Sequence, residues 1–330
     1  MKVSILIPIY NAAPYISRCL LSVAEQSYQD IECILVDDCG NDNSIELAQK
    51  FIDNYKGIIN FIILHHEKNK GVAAARNTCI EASTGDFIFF LDSDDVITVN
   101  CIEDLVALTK KYPDIDFVQG NTLDENGNIS RLGWHIKLPE YCHDKEELEK
   151  NILSVVISSP WNKLIRKSFL TEHKLTFPEG IVHEDMFWCF FIAKYAKAVA
   201  YENKGTYIYY NNENSIITSI SDKSRIHRYS SRLYASNVFC TDLHIEQKAS
   251  KYQRLYVARN LISAMMDITA LHSIAHWHVF WKHVIHLYTN HHRLTIWHHL
   301  LFVCMMPPLC FLIRNRGWHW RIEQYLVNRC

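Results

Sequence analysis

Four short, nearly all-apolar runs recur along the first part of the chain, at Val3–Ile9, Glu32–Val36, Phe61–Leu64 and Phe87–Leu91. Their starts lie 29, 29 and 26 residues apart, the length of a strand–helix–strand unit. Helical periodicity fills the gaps. Pro14 suits a first helical turn, after which Ile16, Leu20 and Val23 share a face; Ile45, Leu47, Ala48 and Phe51 make a second amphipathic stretch, and Gly71 to Ala82 a third. Near-continuous apolarity in the strands is what a parallel sheet covered on both faces requires. The pattern predicts an α/β domain over about residues 1–120.

From Asn121 to Ser159 the periodicity loosens, with a turn at Glu125-Asn126-Gly127-Asn128, which predicts a less regular extension of the sheet. Residues 160–204 carry an amphipathic segment, a loop with Pro178 and Gly180, and an aromatic-rich helix from about Glu184; Tyr207–Tyr210 reads as a short strand. Helices follow. On a helical wheel, Trp277, Trp281, Val284 and Tyr288 fall within about 60° of one another, apart from His276, His283 and His286. Leu294–Ile313 is strongly apolar but broken by His298, His299 and Pro307-Pro308, which argues against a simple spanning helix. Arg314, Arg316, Trp318, Trp320 and Arg321 come after it.

Composition sharpens this division. The 330 residues are 48% hydrophobic and 21% charged, which excludes disorder and allows one or two domains. The formal charge of −2 averages two unlike parts: 28 Lys and Arg against 35 Asp and Glu up to Asp267, then 6 against 1 from Ile268 onward. A basic, aromatic tail on an acidic body suits an anionic lipid surface, so the expectation is a cytoplasmic protein seated peripherally on the inner face of the membrane. A helical lid packed on the rest of the chain is the competing reading of the same residues. The eleven cysteines show no C-x-x-C pair, so neither a disulfide framework nor a zinc site is indicated. The apolar run at Val3–Ile9 is too short for a signal peptide and no cleavage site of small residues follows it, so none is expected.

In open sheets of this kind ligands gather beyond the carboxyl ends of the strands. There the sequence puts Asn11, then Asp37-Asp38, then Asp92-Ser93-Asp94-Asp95. Paired carboxylates at a strand end suit Mg²⁺ or Mn²⁺ shared with substrate phosphates. No G-x-G-x-x-G or G-x-x-x-x-G-K-[ST] occurs, which disfavours dinucleotide-binding and P-loop proteins.

The blocks Val3-Ser4-Ile5-Leu6-Ile7-Pro8-Ile9-Tyr10-Asn11, Val36-Asp37-Asp38, Asn69 to Asn77, and Phe90-Leu91-Asp92-Ser93-Asp94-Asp95 resemble, in order and spacing, the family 2 glycosyltransferases of GT-A fold. Trp161-Asn162-Lys163-Leu164 and His183-Glu184-Asp185 extend the resemblance to about Ser219. It implies a GT-A catalytic domain at 1–220, with a nucleotide-binding half at about 1–120 and an acceptor half at about 121–220; the helical C-terminal region at 221–330 lies outside the resemblance and is read from its own periodicity. It also implies a nucleotide-sugar pocket of Pro8, Tyr10, Asn11, Asp37, Asp38, Arg76, Asp92 and Ser93, with Asp38 on the base and Arg76 near the diphosphate. Asp94 matches the metal ligand, seconded by Asp92, for Mn²⁺ or Mg²⁺; Asp95 is a further candidate or else a helix cap. Asp185 matches the catalytic base, with Glu184 as the alternative. His183, Trp161 and Trp188 are candidate acceptor contacts, the tryptophans alternatively core and His183 alternatively a solvated loop residue. Lys163 is either near the acceptor or on the surface.

The activity implied is metal-dependent, inverting transfer of a hexose or N-acetylhexosamine from a nucleotide-diphosphate sugar, UDP-linked, to a glycan or polyprenyl-linked glycan in surface-polysaccharide assembly. No nucleic-acid partner is implied. A sugar nucleotidyltransferase would need a glycine-rich basic loop where Pro8-Ile9-Tyr10-Asn11 stands, and a non-catalytic glycan-binding protein would not need Asp38, Asp92, Asp94 and Asp185 together.

Overall fold

The computed structural model describes residues 1–128, 138–155, 158–211, 221–246 and 249–291. The chain divides into two units, one of residues 1–180 and 191–213, the other of residues 181–190 and 214–330.

The first unit is built on β1 (Val3–Ile9), β2 (Ile31–Asp37), β3 (Asn60–His65) and β4 (Phe87–Phe90), all parallel in the order β3-β2-β1-β4. Every residue of β1 and β4 is buried, as their unbroken apolarity predicts. Helices α1 (Ile16–Ala24), α2 (Ser44–Asn54) and α3 (Val72–Ala82) connect them. Ile16, Leu20 and Val23 of α1 and Ala48 of α2 enter one core with Val3, Ile5, Ile7 and Ile9, the alternate residues of β1. On the β1–β2 part of the sheet lies α3, whose Ala73-Ala74-Ala75 run permits close approach.

Beyond β4 the sheet becomes mixed. Strands β5 (Val96–Ile97), β6 (Phe117–Leu123), β7 (Tyr141–Cys142), β8 (Lys163–Arg166) and β9 (Val199–Ile208) extend it, with β8 antiparallel to both β4 and β6, and β6 parallel to β9. β7 and β5 pair with opposite ends of β9. Helix α4 (Cys101–Lys111) packs on β6, β8 and β9, while α5 (Lys145–Lys150) and α6 (Lys167–Glu172) are single short turns. The parallel arrangement predicted for the strands thus holds for β1 to β4, and β9 is ten residues long where Tyr207–Tyr210 predicted a short strand. Its middle residues, Glu202 to Lys204, are polar and carry no strand signature; they fall where the register with β6 shifts, between the pairs Gln119–Tyr201 and Asn121–Gly205.

Helix α7 (Glu184–Tyr195) begins in the second unit, which also contains α8 (Asp222–Glu246), α9 (Lys251–Ala270) and α10 (Ile274–His291). Phe187 and Phe190 pack on Phe239 of α8, with ring centroids 5.2 and 4.2 Å apart. Helix α10 packs on α8 and α9. Its buried face is Phe280, Val284, Leu287 and His291, with Trp277, Trp281 and Tyr288 half-buried beside it. Val284, expected in an aromatic stripe offered to a membrane, is therefore a bundle contact. Among the described residues no helix is long and apolar enough to cross a membrane. The apolar segment Leu294–Ile313 and its following arginines and tryptophans lie outside the described residues.

Candidate active site

The strand order reverses between β1 and β4, so the chain leaves their carboxyl ends in opposite directions and opens a crevice there. Pro8 lies in β1 opposite Val36, and Tyr10 just beyond is 49% exposed. Asn11 takes a left-handed turn (φ 50°) and its Oδ1 accepts from Asn41 N at 2.8 Å. Asp42 Oδ2 accepts from Ala13 N at 2.9 Å, and Ser44 Oγ from Ala12 N at 2.7 Å. The loops after β1 and β2 are thereby locked together.

Asp38 is 2% exposed and already engaged. Its Oδ1 accepts from Lys70 N (2.8 Å) and pairs with His66 Nδ1 (2.7 Å), while Oδ2 accepts from Gly71 N (2.8 Å). His66 Nε2 continues to Thr78 Oγ1 at 3.0 Å. Gly71, at φ 89°, adopts a backbone that a side chain would resist, and so presents its N–H to Asp38 at the head of α3. The carboxylate expected on the base thus clamps the β2 exit to the loop before α3. Its neighbour Asp37 accepts from Cys39 N (3.0 Å) and pairs with the exposed His65 (3.1 Å).

After β4, Asp95 N donates back to Asp92 O at 3.1 Å, closing a tight acidic turn. Arg76 of α3, 5% exposed, donates Nη2 to Asp92 Oδ1 at 2.9 Å and lies over the Phe177 ring, 5.5 Å from its centroid. The Asp92 side chain is 28% exposed. Arg18 of α1 donates to Asp94 O at 2.5 Å and stacks over Tyr210 at 3.7 Å. Ser93 lies between the two aspartates, partly exposed.

Asp95 corrects both of its sequence readings. It is 1% exposed, its Oδ2 accepts from Tyr207 OH (2.7 Å) and its Oδ1 from Tyr210 N (2.9 Å), so it latches the end of β9 to the acidic turn. Helix α4 starts later, at Cys101, with no side-chain cap. Burial, then the charges of Asp92 and Asp94, push the Asp95 carboxyl up to about 8.

Among the described residues no three His, Cys, Asp or Glu side chains gather as a metal site. Asp92 and Asp94 supply carboxylates two positions apart at the rim, a set that suits Mg²⁺ or Mn²⁺ completed by substrate phosphates.

Trp161 also departs from its role as a possible sugar platform. It is 8% exposed and stacks on Tyr207 at 4.6 Å within the core, because an isolated bridge to Phe90 draws it against β4. Asn162, fully buried at φ 58°, donates to Asn121 O (2.9 Å) and accepts from Thr206 Oγ1 (2.7 Å), tying β8 to β6 and β9. Lys163 is neither a surface residue nor free to meet an acceptor: it is 2% exposed, with Nζ on Ser159 O at 2.6 Å.

In the second unit, His183 adopts φ 62° and its carbonyl accepts from Met186 N at 3.1 Å, starting α7. Glu184 is 7% exposed, and Asp185 is partly exposed, its Oδ1 accepting from Met186 N at 2.9 Å. His183 lies in the loop before α7 and is partly exposed, with its ring hydrogen-bonded inside the fold. Arg232 of α8 donates Nη2 to its Nε2 at 3.1 Å, and burial, then Arg232, Arg228 and His227, push the imidazole down to about 3. Trp188, 2% exposed, is core and offers no face to a sugar. Arg18, His66, Tyr207 and Arg232 were not legible as site residues. The only sequence hint was His65-His66, polar residues at a third strand end.

The open sheet with its acidic turn defines the GT-A class. The sequence model described as Glycosyl transferase family 2 matches residues 4–173, and the chain belongs to that family. It is 30% identical to EpsH of Bacillus subtilis over 250 residues, 72% of this chain and 66% of EpsH. It is 25% identical over 187 residues to the poly(ribitol-phosphate) beta-N-acetylglucosaminyltransferase TarS of Staphylococcus aureus, 55% of this chain and 30% of TarS. The crystal structure of S. aureus TarS 1-349 in complex with UDP-GlcNAc shares the fold, with TM-score 0.60 and 19% identity over 92% of each chain. So does mannosyltransferase PcManGT from Pyrobaculum calidifontis in complex with GDP-Man and Mn²⁺, with TM-score 0.57 and 15% identity over 99% of this chain and 85% of that one.

Proposed function

We propose that the chain is a metal-dependent inverting glycosyltransferase that moves a hexose or N-acetylhexosamine from a UDP-sugar to a hydroxyl of a glycan or lipid-linked glycan during surface-polysaccharide assembly. The observation that carries this reading is the acidic turn at the β4 exit, where buried Arg76 braces Asp92 and leaves Asp94 beside it. Tyr10 and Asn11 at the β1 exit would take the nucleoside, and Arg76 would offset diphosphate charge. Because Asp38 has its oxygens engaged within the fold, its part in reading the base would be to shape the loop, with Asp37 nearer the surface.

The acceptor oxygen forms a bond to the anomeric carbon as the bond from that carbon to the diphosphate oxygen breaks, and the electron pair leaves with the nucleoside diphosphate. Asp185 takes the acceptor's proton. Mn²⁺ or Mg²⁺ held by Asp94, with Asp92, would supply charge neutralisation for the leaving diphosphate. Support for a UDP-linked donor and a polymer acceptor comes from the TarS name and complex. The basic, aromatic sequence after His291 supports a peripheral seat on the cytoplasmic face of the membrane.

The test is a panel of UDP-glucose, UDP-galactose, UDP-N-acetylglucosamine and GDP-mannose, scored for Mn²⁺-dependent release of the nucleoside diphosphate. One UDP-sugar should be turned over, and Asp185→Asn should bind it with little change while losing turnover. Undiminished turnover in EDTA would end the metal role, and an active Asp185→Asn would move the base to Glu184.

A further inference from the structure

We infer that Arg232 on α8 is a positioning residue for the turn that carries Asp185, gripping His183 and Met186 on its two sides. The inference rests on Asp185 being the base. The turn is an unusual piece of backbone: His183 holds φ 62°, a conformation that a residue with a side chain keeps only when its surroundings impose it. Two consecutive residues of α8 impose it here. Ser231 Oγ accepts from Val182 N at 3.1 Å, and Arg232 reaches over the next residues, Nη2 to His183 Nε2 at 3.1 Å and Nη1 to Met186 Sδ at 3.5 Å.

Arg donates and never accepts, so His183 Nε2 must be the acceptor and the ring must be neutral, with its proton on Nδ1. A lysine could not make this two-pronged grip, since its ammonium is a single point on a flexible stem. The depressed His183 imidazole agrees with this arrangement. The other charged and titratable groups about the turn are Glu184 and Cys189 of α7, His227 and Arg228 of α8, and Tyr256 and Asp267 of α9. Arg228 is already paired with Asp267, Nη2 to Oδ1 at 2.9 Å. A permanent cation within electrostatic reach of the base keeps its carboxylate ionised at lower pH, and a held turn keeps its direction constant.

The experiment measures turnover of the panel nucleotide sugar that the wild type hydrolyses fastest, with Mn²⁺ and water as acceptor, across pH. Arg232→Gln should lower kcat about tenfold or more with donor KM little changed. Its acidic limb should move up by about one pH unit, because loss of a nearby positive charge raises a carboxylate's pKa. Arg232→Lys should leave the limb in place and still lose turnover. Wild-type kcat and limb in Arg232→Gln, or wild-type kcat in Arg232→Lys should the Gln variant fail to fold, would overturn the inference. Asp185→Asn run alongside separates the two claims. If it is active, the base assignment falls; if it is inactive while both Arg232 variants behave as wild type, that assignment stands and the positioning role falls.

Discussion

Asp38, Asp92, Asp94 and Asp95 look alike in the sequence, yet their oxygens have different employment. Those of Asp38 are bound by backbone amides and His66, those of Asp95 by Tyr207 and Tyr210 N, whereas Asp92 shares one oxygen with Arg76 and remains partly exposed. As the proposed metal ligand, Asp94 is the residue whose change to Ala should weaken Mn²⁺-dependent UDP binding by about tenfold or more in calorimetry. Tyr207→Phe should cost about 1–3 kcal/mol in urea unfolding because it strips a donor from the buried Asp95 carboxyl. Tight metal-free UDP binding would count against the first, and an unchanged midpoint against the second.

A third residue tests the frame alone. Glu32 at the far end of β2 is 2% exposed; burial alone would raise its pKa, but hydrogen bonds from Lys2, Ser4 and Thr84 outweigh it and hold the carboxyl at about 2. A folded-state pKa below the unfolded one means stability present near neutrality and lost as pH falls through the folded value. Glu32→Gln should be less stable than wild type by about 1–3 kcal/mol at pH 7, with the gap closing toward about pH 2. A gap independent of pH would refute this linkage. Motif spacing showed where the carboxylates stand along the chain but not their partners, because Tyr207 lies 112 residues from Asp95 and Arg232 lies 49 from His183.

At the scale of elements, β1 to β4 and α1 to α3 followed from periodicity, since each buries a face whose residues are close in sequence. β9 did not: Glu202-Asn203-Lys204 is polar and falls at a register shift, and β6 pairs with the residues on either side of it. Helix α10 was legible as a helix, but its partner was not. The wheel could show that Trp277, Trp281 and Val284 lie together, without telling lipid from protein as the covering phase. Leu287→Ala, in the bundle-facing row, should cost about 2–4 kcal/mol in denaturant unfolding. Ile285→Ala, 56% exposed on the same helix, should stay within about 0.5 kcal/mol. Equal effects would mean that the buried face is misassigned.

For the whole molecule, the charge division near Asp267 falls within the second unit and does not mark the boundary between the two. With α10 packed on α8 and α9, the membrane seat proposed for this region rests on sequence beyond His291. Full-length protein should pellet with anionic vesicles and be released by high salt, while a chain ending at His291 should remain in the supernatant. Pelleting of both, or of neither, would remove the basis for that seat.

By itself the sequence determined the βαβ order, the family, and the strand ends at which chemistry is placed, because apolar period and motif spacing are local properties that survive without knowledge of contacts. Only the tertiary structure decided that Asp38 and Asp95 are engaged within the fold, that Trp161, Trp188 and Lys163 belong to the interior, and that Arg232 holds the turn before α7. Those outcomes depend on which distant donor reaches which oxygen first. That is a matter of strand pairing and helix packing, and no short stretch of residues encodes it.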